Sequence, residues 1–356
     1  MRKQIEVLEP PPEMDISRLA ETAKAMAAAN KGLLAMDEST GTCNKRFAAA
    51  GIPQTVEARR AYRELLITTP GLSEFISGVI LYDEAIRQAK KDGTPFLQVI
   101  RDAEIIPGIK VDSGTDDFQG YPGEKITRRL EGLRVRLKEY VEMGARFAKW
   151  RAVFAIGDGT PSMGCIVANA QALATYAALC QEMGLVPIVE PEVLMDGDDS
   201  LERCGEVTEQ VLGTVFTQLN ERRVAMEGMI LKPNMVLPGL RCKQQHSLNE
   251  VADATVSCLL RSVPDAVPAV MFLSGGQSGE LASAHLNAMN VRFKSRLPWA
   301  LSFSFGRAIQ QPALGIWGGE EANTIAAQQA LHHRAECSGA ARAGEYDDLM
   351  ESSSSQ

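Results

Sequence analysis

Residues 185–192 read LVPIVEPE, and residues 228–235 read GMILKPNM. In both stretches a short apolar run ends in polar or charged residues. A run of this length without alternation is typical of a strand that is buried on both faces of a parallel sheet. Six further runs have the same form, at residues 31–37, 78–84, 106–112, 145–154, 269–275 and 298–306. The chain therefore carries eight candidate strands.

The segments between these strands have the spacing of amphipathic helices. Residues 126–143, 168–183, 201–223 and 247–262 place apolar residues three and four positions apart. In the last of them, Ser247 and Glu250 have the spacing of a capping box. Alternating strands and helices predict an α/β protein, and eight repeats favour a single-domain (β/α)8 TIM barrel with its functional groups at the carboxyl ends of the strands. An open doubly wound sheet is the alternative, but the chain has no Gly-x-Gly-x-x-Gly after the first strand and no P-loop motif.

The composition is that of an ordinary globular protein, with 356 residues, 45% of them hydrophobic and 23% charged. It excludes a disordered, collagen-like or coiled-coil chain. The net charge of −8 argues against non-specific nucleic-acid binding, which needs clustered cations. No apolar run approaches the ~20 residues that cross a bilayer, so we expect no membrane association. We expect residues 1–25 to form an N-terminal extension packed on the barrel, residues 26–337 the barrel itself, and residues 338–356 a flexible polar tail.

The cysteines and histidines do not indicate a metal site. The seven cysteines are widely spaced without a Cys-x-x-Cys pair, which is typical of reduced thiols in a cytoplasmic protein. Among the four histidines we expect no His/Cys cluster, and therefore no zinc or other transition metal. Sites for magnesium built from carboxylates alone stay open.

Pairs of polar residues stand two positions apart at the ends of four strands, and residues two apart in a strand share a face. The pairs are Lys110/Asp112, Lys149/Arg151, Glu190/Glu192 and Lys232/Asn234. Asp37 ends the first strand and Ser274 the seventh. A solvated sheet edge is the usual reason for such charges, but an edge alternates along its whole length, and these strands are apolar up to their ends. We therefore expect the pairs to line the upper interior of the barrel.

Lys232 is the candidate nucleophile of this group. Desolvation and the neighbouring cation Lys149 disfavour its ammonium form, and a free amine can attack a carbonyl. The alternative is a lysine that only extends along the barrel end toward solvent. Schiff-base chemistry also needs an acid/base, for which Glu190 or Glu192 is suited. A carboxylate that orients substrate hydroxyls and assists C–C cleavage is needed as well, and Asp37 is suited to that task.

Two groups of residues can bind anions on opposite sides of this pocket. Ser274-Gly275-Gly276 follows the seventh strand and Gly306-Arg307 the eighth, where backbone N–H groups and a guanidinium can hold a phosphate dianion. Ser39 and Thr42 follow the first strand and, with Lys110, can hold a second one. Two anion sites across one pocket predict a bisphosphorylated small-molecule substrate.

Seven segments together resemble class I (Schiff-base) fructose-bisphosphate aldolase. They are GLLAMDESTGT, PGIKVDSGT, ARFAKWR, YAALCQEMGLVPIVEPEVLMDGD, MILKPNMVLPG, FLSGGQS and PWALSFSFGRA, spanning residue 32 to about residue 319 in the family's order. The resemblance implies a (β/α)8 barrel and a homotetramer. It also implies an enzyme that needs no metal or other cofactor and reversibly splits fructose 1,6-bisphosphate into dihydroxyacetone phosphate and glyceraldehyde 3-phosphate.

The resemblance also implies roles for individual residues. Lys232 of LKPNM resembles the Schiff-base lysine, Glu190 of VEPE the acid/base and Glu192 its supporting carboxylate. Lys149 and Arg151 of KWR resemble a charged partner and a substrate-binding arginine, and Asp37 of DEST resembles the residue of the C–C step. The family's phosphate site beside the nucleophile is matched by Ser274, Gly275, Gly306 and Arg307. Its opposite phosphate site is matched by Ser39, Thr42 and Lys110.

The chain departs from the family pattern at its end and at the substrate mouth. Many members finish in a tyrosine that assists proton exchange, whereas this chain finishes in Gln356 and its last tyrosine is Tyr346. Ser113 and Thr42 are milder differences. Two alternatives therefore stay open: an aldolase specialised for sedoheptulose 1,7-bisphosphate or fructose 1-phosphate, and a scaffold protein without activity.

Overall fold

Eight parallel strands close into a barrel in the structure, a computed structural model that describes residues 14–294 and 296–352. The order around the barrel is β1-β10-β9-β8-β7-β6-β3-β2, and β4 and β5 form a separate antiparallel hairpin. The strands are β1 (Gly32–Met36), β2 (Ile76–Leu81), β3 (Ile106–Lys110), β4 (Thr115–Asp117), β5 (Lys125–Thr127), β6 (Phe147–Phe154), β7 (Val186–Val193), β8 (Ile230–Leu231), β9 (Ala269–Phe272) and β10 (Ala300–Phe305). The predicted (β/α)8 barrel is confirmed, and each of the eight predicted runs overlaps one of its strands.

Helices join the strands and cover the outside of the barrel. They are α1 (Ile16–Met26), α2 (Thr40–Ala49), α3 (Val56–Ile67), α4 (Asp83–Ile86), α5 (Phe96–Asp102), α6 (Leu133–Met143), α7 (Met163–Glu182), α8 (Leu201–Glu221), α9 (Leu248–Ser262), α10 (Gly279–Phe293), α11 (Arg307–Trp317), α12 (Thr324–Ala343) and α13 (Leu349–Ser352). The capping box at the start of α9 is present: Glu250 N donates to Ser247 Oγ, and Ser247 N donates to Glu250 Oε2 at 2.8 Å.

The helix predicted at residues 126–143 is wrong in its first seven residues. Helix α6 begins only at Leu133, because Gly132 has a left-handed φ of 66° and Arg129 a φ of 87°. The preceding residues belong to β5, where Ile126 is opposite Asp116 of β4. The β-branched Ile126 and Thr127 suit this extended pairing.

The inside of the barrel is filled by alternate residues of its strands. Phe147, Ile188 and Ile230 belong to this inner cluster, and Leu19 of α1 packs against it from the amino ends of the strands. Only glycine fits at residue 108, because a Cβ there would lie 2.1 Å from the Phe147 ring. The amino end is therefore closed by packed side chains, and the carboxyl end is where a site can form.

The C-terminal segment differs from the predicted polar tail. Helix α12 continues past residue 338 to Ala343, and Ser338 and Tyr346 are buried. Small residues permit this packing: a Cβ at Gly339 would lie 2.8 Å from the Asn30 carbonyl oxygen. In the sequence the same small residues are typical of a linker, but the first six residues of the expected tail, 338–343, belong to helix α12. Residues 353–356, and residues 1–13 of the expected N-terminal extension, lie outside the described residues.

Helix α7 is long and apolar enough by composition alone to cross a membrane. More than half of its apolar window is buried, and the helix packs against β6, β7 and α8. Among its buried residues are Ile166, Leu173 and Tyr176. This is the packing of a barrel helix between the sheet and its neighbours.

Candidate active site

Lys232 lies at the carboxyl end of β8, inside the barrel. It is two positions after Ile230 of the inner cluster and therefore shares the inward face. Its backbone N–H donates to the Val189 carbonyl at 2.8 Å, which continues the pairing of β8 with β7. The side chain is buried, and its Nζ lies 3.2 Å from Glu190 Oε1. The predicted nucleophile and the predicted acid/base are thus in contact.

Four charged side chains of alternating sign form a chain across the barrel. Glu190 Oε1 contacts Lys232, and Glu190 Oε2 lies 2.5 Å from Lys149 Nζ. Lys149 Nζ in turn donates to Asp37 Oδ2 at 3.0 Å. Lys149 and Glu190 are on neighbouring strands, but Asp37 follows β1 and reaches Lys149 across the interior. The structure therefore brings together Asp37, Lys149, Glu190 and Lys232 in one buried cluster.

The two lysines of this cluster have opposite protonation tendencies. Burial lowers the pKa of Lys232, and the nearby Lys149 lowers it further, so that the net shift is downward despite the carboxylates of Glu190 and Asp37. Burial also disfavours the charged form of Lys149, but contact with both carboxylates raises its pKa above the ordinary value. Lys232 is thus the amine that loses its proton more readily.

The two carboxylates of the cluster are ionised at neutral pH. Burial alone raises the pKa of Asp37, but Lys149, Lys110 and Lys232 outweigh it and hold the pKa well below its usual range. The pKa of Glu190 is also lowered, because Lys149 and Lys232 overcome the effect of burial. Glu190 is therefore a proton acceptor in the resting state, and it becomes an acid only after it has taken up a proton.

The remaining charged strand ends form the outer wall of the site. Arg151 Nε donates to Glu192 Oε2 at 2.5 Å, and 41% of the Arg151 side chain is exposed. Asp112 accepts from the backbone N–H groups of Gly114 and Arg151 at 3.1 and 3.3 Å. Its Oδ1 also lies 3.5 Å from Lys110 Nζ. Asp112 therefore holds the ends of β3 and β6 together.

The residues that are predicted to bind the phosphate beside Lys232 follow two neighbouring strands, since β9 pairs with β10. Ser274 is buried, and Gly275 is left-handed with a φ of 57°. A Cβ at Gly275 would also lie 1.8 Å from the terminal methyl group of Met195, so glycine suits both the backbone conformation and the space at this turn. Gly306 precedes α11 without a side-chain cap, and Arg307 is the exposed first residue of that helix. Uncapped N–H groups and a guanidinium suit a phosphate.

The second predicted anion site begins at the N-terminus of α2. Ser39 caps this helix and accepts from Thr42 N at 3.2 Å, and the two hydroxyl oxygens are 3.1 Å apart. Lys110 makes its ion pair with Asp112 rather than with these hydroxyls. The structure thus brings the hydroxyls of Ser39 and Thr42 together, whereas Lys110 pairs with Asp112.

Asn234 was expected to share the inward face with Lys232, and this is wrong. Its Oδ1 accepts from Val193 N at 2.9 Å, and its Nδ2 donates to Thr208 Oγ1 of α8 at 3.1 Å. Strand β8 ends at Leu231, before the chain reaches Pro233, which has no N–H to donate. The two-residue period therefore does not extend to Asn234.

Sequence reasoning missed two polar residues near this end of the barrel. Ser304 is buried on the inward face of β10, and its hydroxyl has no partner among the described residues. The alternation of SFSFG in residues 302–306 is the signal that could have found it. Arg46 of α2 forms an ion pair with Glu38 and donates to Gln310 Oε1 at 3.1 Å. Its place one helical turn after Thr42 was a weaker signal.

Comparisons with known proteins agree with this geometry. The family model for fructose-bisphosphate aldolase class-I matches residues 18–356. The chain belongs to the class I fructose-bisphosphate aldolase family. A probable fructose-bisphosphate aldolase class 1 of Xanthomonas campestris pv. campestris is 56% identical over 334 residues, which cover 94% of this chain and 99% of the relative. The cytosolic fructose-bisphosphate aldolase 6 of Arabidopsis thaliana is 50% identical, covering 92% of this chain and 91% of the relative.

A solved structure supports the same conclusion. Fructose-bisphosphate aldolase from Plasmodium falciparum, in complex with TRAP and a small-molecule inhibitor, superposes with a TM-score of 0.92 at 45% identity. The match covers 95% of this chain and 98% of that one. The predicted family is thus confirmed: the chain is a metal-independent type of lyase that cleaves fructose 1,6-bisphosphate reversibly through a lysine Schiff base, as class I aldolases do.

Proposed function

We propose that Lys232 forms the Schiff base. The observation that carries this assignment is its buried amine, 3.2 Å from Glu190 and close enough to Lys149 for that cation to lower its pKa. Glu190 accepts a proton from the Lys232 ammonium, and the freed Nζ lone pair attacks the C2 carbonyl of the open-chain ketose. A proton moves from the nitrogen to the former carbonyl oxygen, which gives the carbinolamine, and Glu190 then returns its proton to the carbinolamine hydroxyl. That hydroxyl leaves as water, and a protonated Schiff base remains.

We assign the carbon–carbon step to the charged cluster around this Schiff base. A carboxylate accepts the proton of the C4 hydroxyl, the C3–C4 bond breaks, and its electron pair moves toward the positive nitrogen to form an enamine. The triose aldehyde leaves. Asp37 is suited to this step because its carboxylate stays ionised, and Lys149 holds it in place at 3.0 Å. Protonation of the enamine and addition of water then release dihydroxyacetone phosphate and the free amine.

Glu192 and Arg151 have supporting roles in this proposal. Their 2.5 Å ion pair lies beside the catalytic cluster, because Arg151 is in register with Glu190 on the neighbouring strand. The exposed part of Arg151 can reach a substrate phosphate or hydroxyl. Glu192 holds the guanidinium in one orientation, which preserves its bidentate donor geometry.

We propose that the substrate spans the mouth between two anion sites. Ser274, Gly275, Gly306 and Arg307 bind the phosphate on the ketose carbon nearest the nucleophile. The second phosphate is bound by Ser39 and Thr42, with Lys110 contributing charge from the wall. This arrangement favours a bisphosphate over fructose 1-phosphate. Relative turnover of fructose 1,6-bisphosphate, sedoheptulose 1,7-bisphosphate and fructose 1-phosphate tests it, and equal turnover of the monophosphate contradicts it.

We also propose that the enzyme works without a metal or other cofactor, as a cytoplasmic homotetramer. The covalent Schiff base supplies the electron sink that a Lewis acid supplies elsewhere, so no cofactor is required at the reacting carbon. The cytoplasmic location is supported by a relative that is named as cytosolic. The tetramer is supported by resemblance to the family.

The Lys232→Met variant tests the central assignment. Methionine fills the volume of the lysine stem without an amine, so we expect no cleavage but continued binding of the bisphosphate at its two anion sites. Isothermal titration with fructose 1,6-bisphosphate and a thermal unfolding scan measure binding and fold. If a folded Lys232→Met protein cleaves fructose 1,6-bisphosphate at the wild-type rate, the assignment is contradicted.

A further inference from the structure

Three side chains of types that commonly bind metals lie close together near the C-terminus, on elements that follow the aldolase site in sequence. His333 and Cys337 are one turn apart on α12, and Glu351 of α13 lies against them. Cys337 Sγ is 3.6 Å from His333 Nε2, and that nitrogen is 3.8 Å from Glu351 Oε2. The three donor atoms lie within 4.8 Å of one another. The expectation that no histidine joins a cysteine was therefore wrong, because the four-residue spacing of His333 and Cys337 puts them on one helix face.

The separation of these donor atoms suits one small cation. With a zinc–sulfur bond of about 2.3 Å and a zinc–nitrogen bond of about 2.0 Å, tetrahedral angles place the sulfur and nitrogen about 3.5 Å apart, within about 0.1 Å of the observed distance. Cys337 and His333 already have this separation. The Glu351 oxygen, at 3.8 Å from His333 Nε2, is about half an ångström farther than tetrahedral bonds of about 2.0 Å require, so the carboxylate must move inward when the cation binds.

We propose that His333, Cys337 and Glu351 bind a divalent cation of the zinc class. A thiol and an imidazole select zinc and related metals over magnesium and calcium, which prefer oxygen ligands. The three side chains occupy three tetrahedral positions, and a water molecule takes the fourth. On binding, the metal–sulfur bond forms as the sulfur–hydrogen bond breaks, and the proton goes to solvent without any redox change.

The surroundings hold the carboxylate ligand in position. Tyr346 donates its hydroxyl to Glu351 Oε1 at 2.7 Å, and Arg334 Nη1 donates to Oε2 at 2.5 Å. Such outer partners orient a metal ligand. The guanidinium also opposes a bound cation, and the thiolate and carboxylate charges offset that repulsion. The expected affinity is therefore below that of a four-ligand structural zinc site.

A bound cation would tie α13 to α12 and so fix the C-terminal segment. This role is separate from the proposed lysine chemistry, since none of the three ligands belongs to the charged cluster of the barrel. The test can therefore fail or succeed independently of the Schiff-base assignment.

Titration of the full-length, metal-free protein with Co²⁺ tests the proposal. We expect one equivalent to produce visible tetrahedral bands and a near-ultraviolet thiolate charge-transfer band, both abolished by Zn²⁺. Because Cys337 is buried, the half-buried ligands carry the mutational test. His333→Gln and Glu351→Gln should each weaken Co²⁺ binding by roughly tenfold or more, at least the effect of losing an outer partner.

Two variants serve as matched controls. His332→Gln changes the neighbouring histidine, whose ring packs on Phe75, and Cys242→Ser changes a half-buried thiol outside the cluster. Both should leave the titration unchanged. The proposal is overturned if the folded wild-type protein gives no thiolate–cobalt band, if His333→Gln leaves the band intact, or if Cys242→Ser abolishes it.

Discussion

Replacing Glu190 with glutamine removes the negative charge that contacts the reactive amine. The carboxylate lies 3.2 Å from Lys232 Nζ. At an effective dielectric constant of about 20, a pair at this distance interacts with about 5 kcal/mol, which is the upper limit of what this charge contributes to keeping the amine protonated. Part of this is regained by solvent and by the glutamine amide. We therefore expect the pKa of Lys232 to fall further and kcat to fall by about 10²–10⁴-fold, the usual effect of losing a general acid/base.

The amine itself can be followed without catalysis. Reductive methylation with formaldehyde and cyanoborohydride, quantified on the peptide that contains Lys232, gives the pH at which half of the amine is neutral. We expect this midpoint to move downward in Glu190→Gln. Glu192→Gln is the matched control, because the carboxylate of Glu192 pairs with Arg151. A midpoint that stays fixed or rises in Glu190→Gln refutes the assigned electrostatics.

Three further predictions concern phosphate binding, pH and packing. Arg307→Ala should raise KM for fructose 1,6-bisphosphate by about 10–150-fold, since a charge-assisted hydrogen bond contributes about 1.5–3 kcal/mol; an unchanged KM argues against the phosphate site. Despite burial, Lys149 and its neighbours hold the pKa values of Asp37 and Glu190 low. Both carboxylates therefore stabilise the fold fully above about pH 4.5, and this stabilisation is lost as the pH falls through their lowered pKa values. The free energy of unfolding in urea, measured between about pH 7 and pH 3, should therefore fall less steeply with decreasing pH in Lys149→Met than in the wild type. Equal slopes of this free energy against pH would count against the coupling. Gly108→Ala should lower the free energy of unfolding by about 1–3 kcal/mol, because the new Cβ meets the Phe147 ring. Gly213 has open space around it, so Gly213→Ala should not destabilise the protein. Equal urea midpoints for the two variants would contradict this account of the packing.

The barrel could be predicted from sequence because its strands are buried on both faces. Their continuous apolar runs are strong signals, and the order of strands and helices leaves few topologies. The cluster of Asp37, Lys149, Glu190 and Lys232 followed from one geometric rule, that parallel strands end at the same edge. The contact of Asp37 with Lys149 across the interior was not visible in any local pattern.

The failed predictions have causes that the spacing of apolar residues does not show. Residues 126–132 have helical spacing, but β5 pairs with β4 and Gly132 adopts a left-handed backbone. Residues 338–343 are mostly small in sequence, but they continue helix α12 and are largely buried, because small side chains let this helix approach the barrel closely. Asn234 leaves the inward face because β8 ends after two residues. Only the C-terminal segment depends on a partner that is distant along the chain, since β4 lies about ten residues before β5 and Pro233 follows β8 directly.

Mass spectrometry of the borohydride-reduced adduct with dihydroxyacetone phosphate, formed in the presence of EDTA, is the most direct measurement of the covalent chemistry. Our account predicts one adduct per chain, on the peptide that contains Lys232, and full activity in the chelator. An adduct confined to another lysine, or activity that EDTA abolishes with no adduct formed, would contradict it.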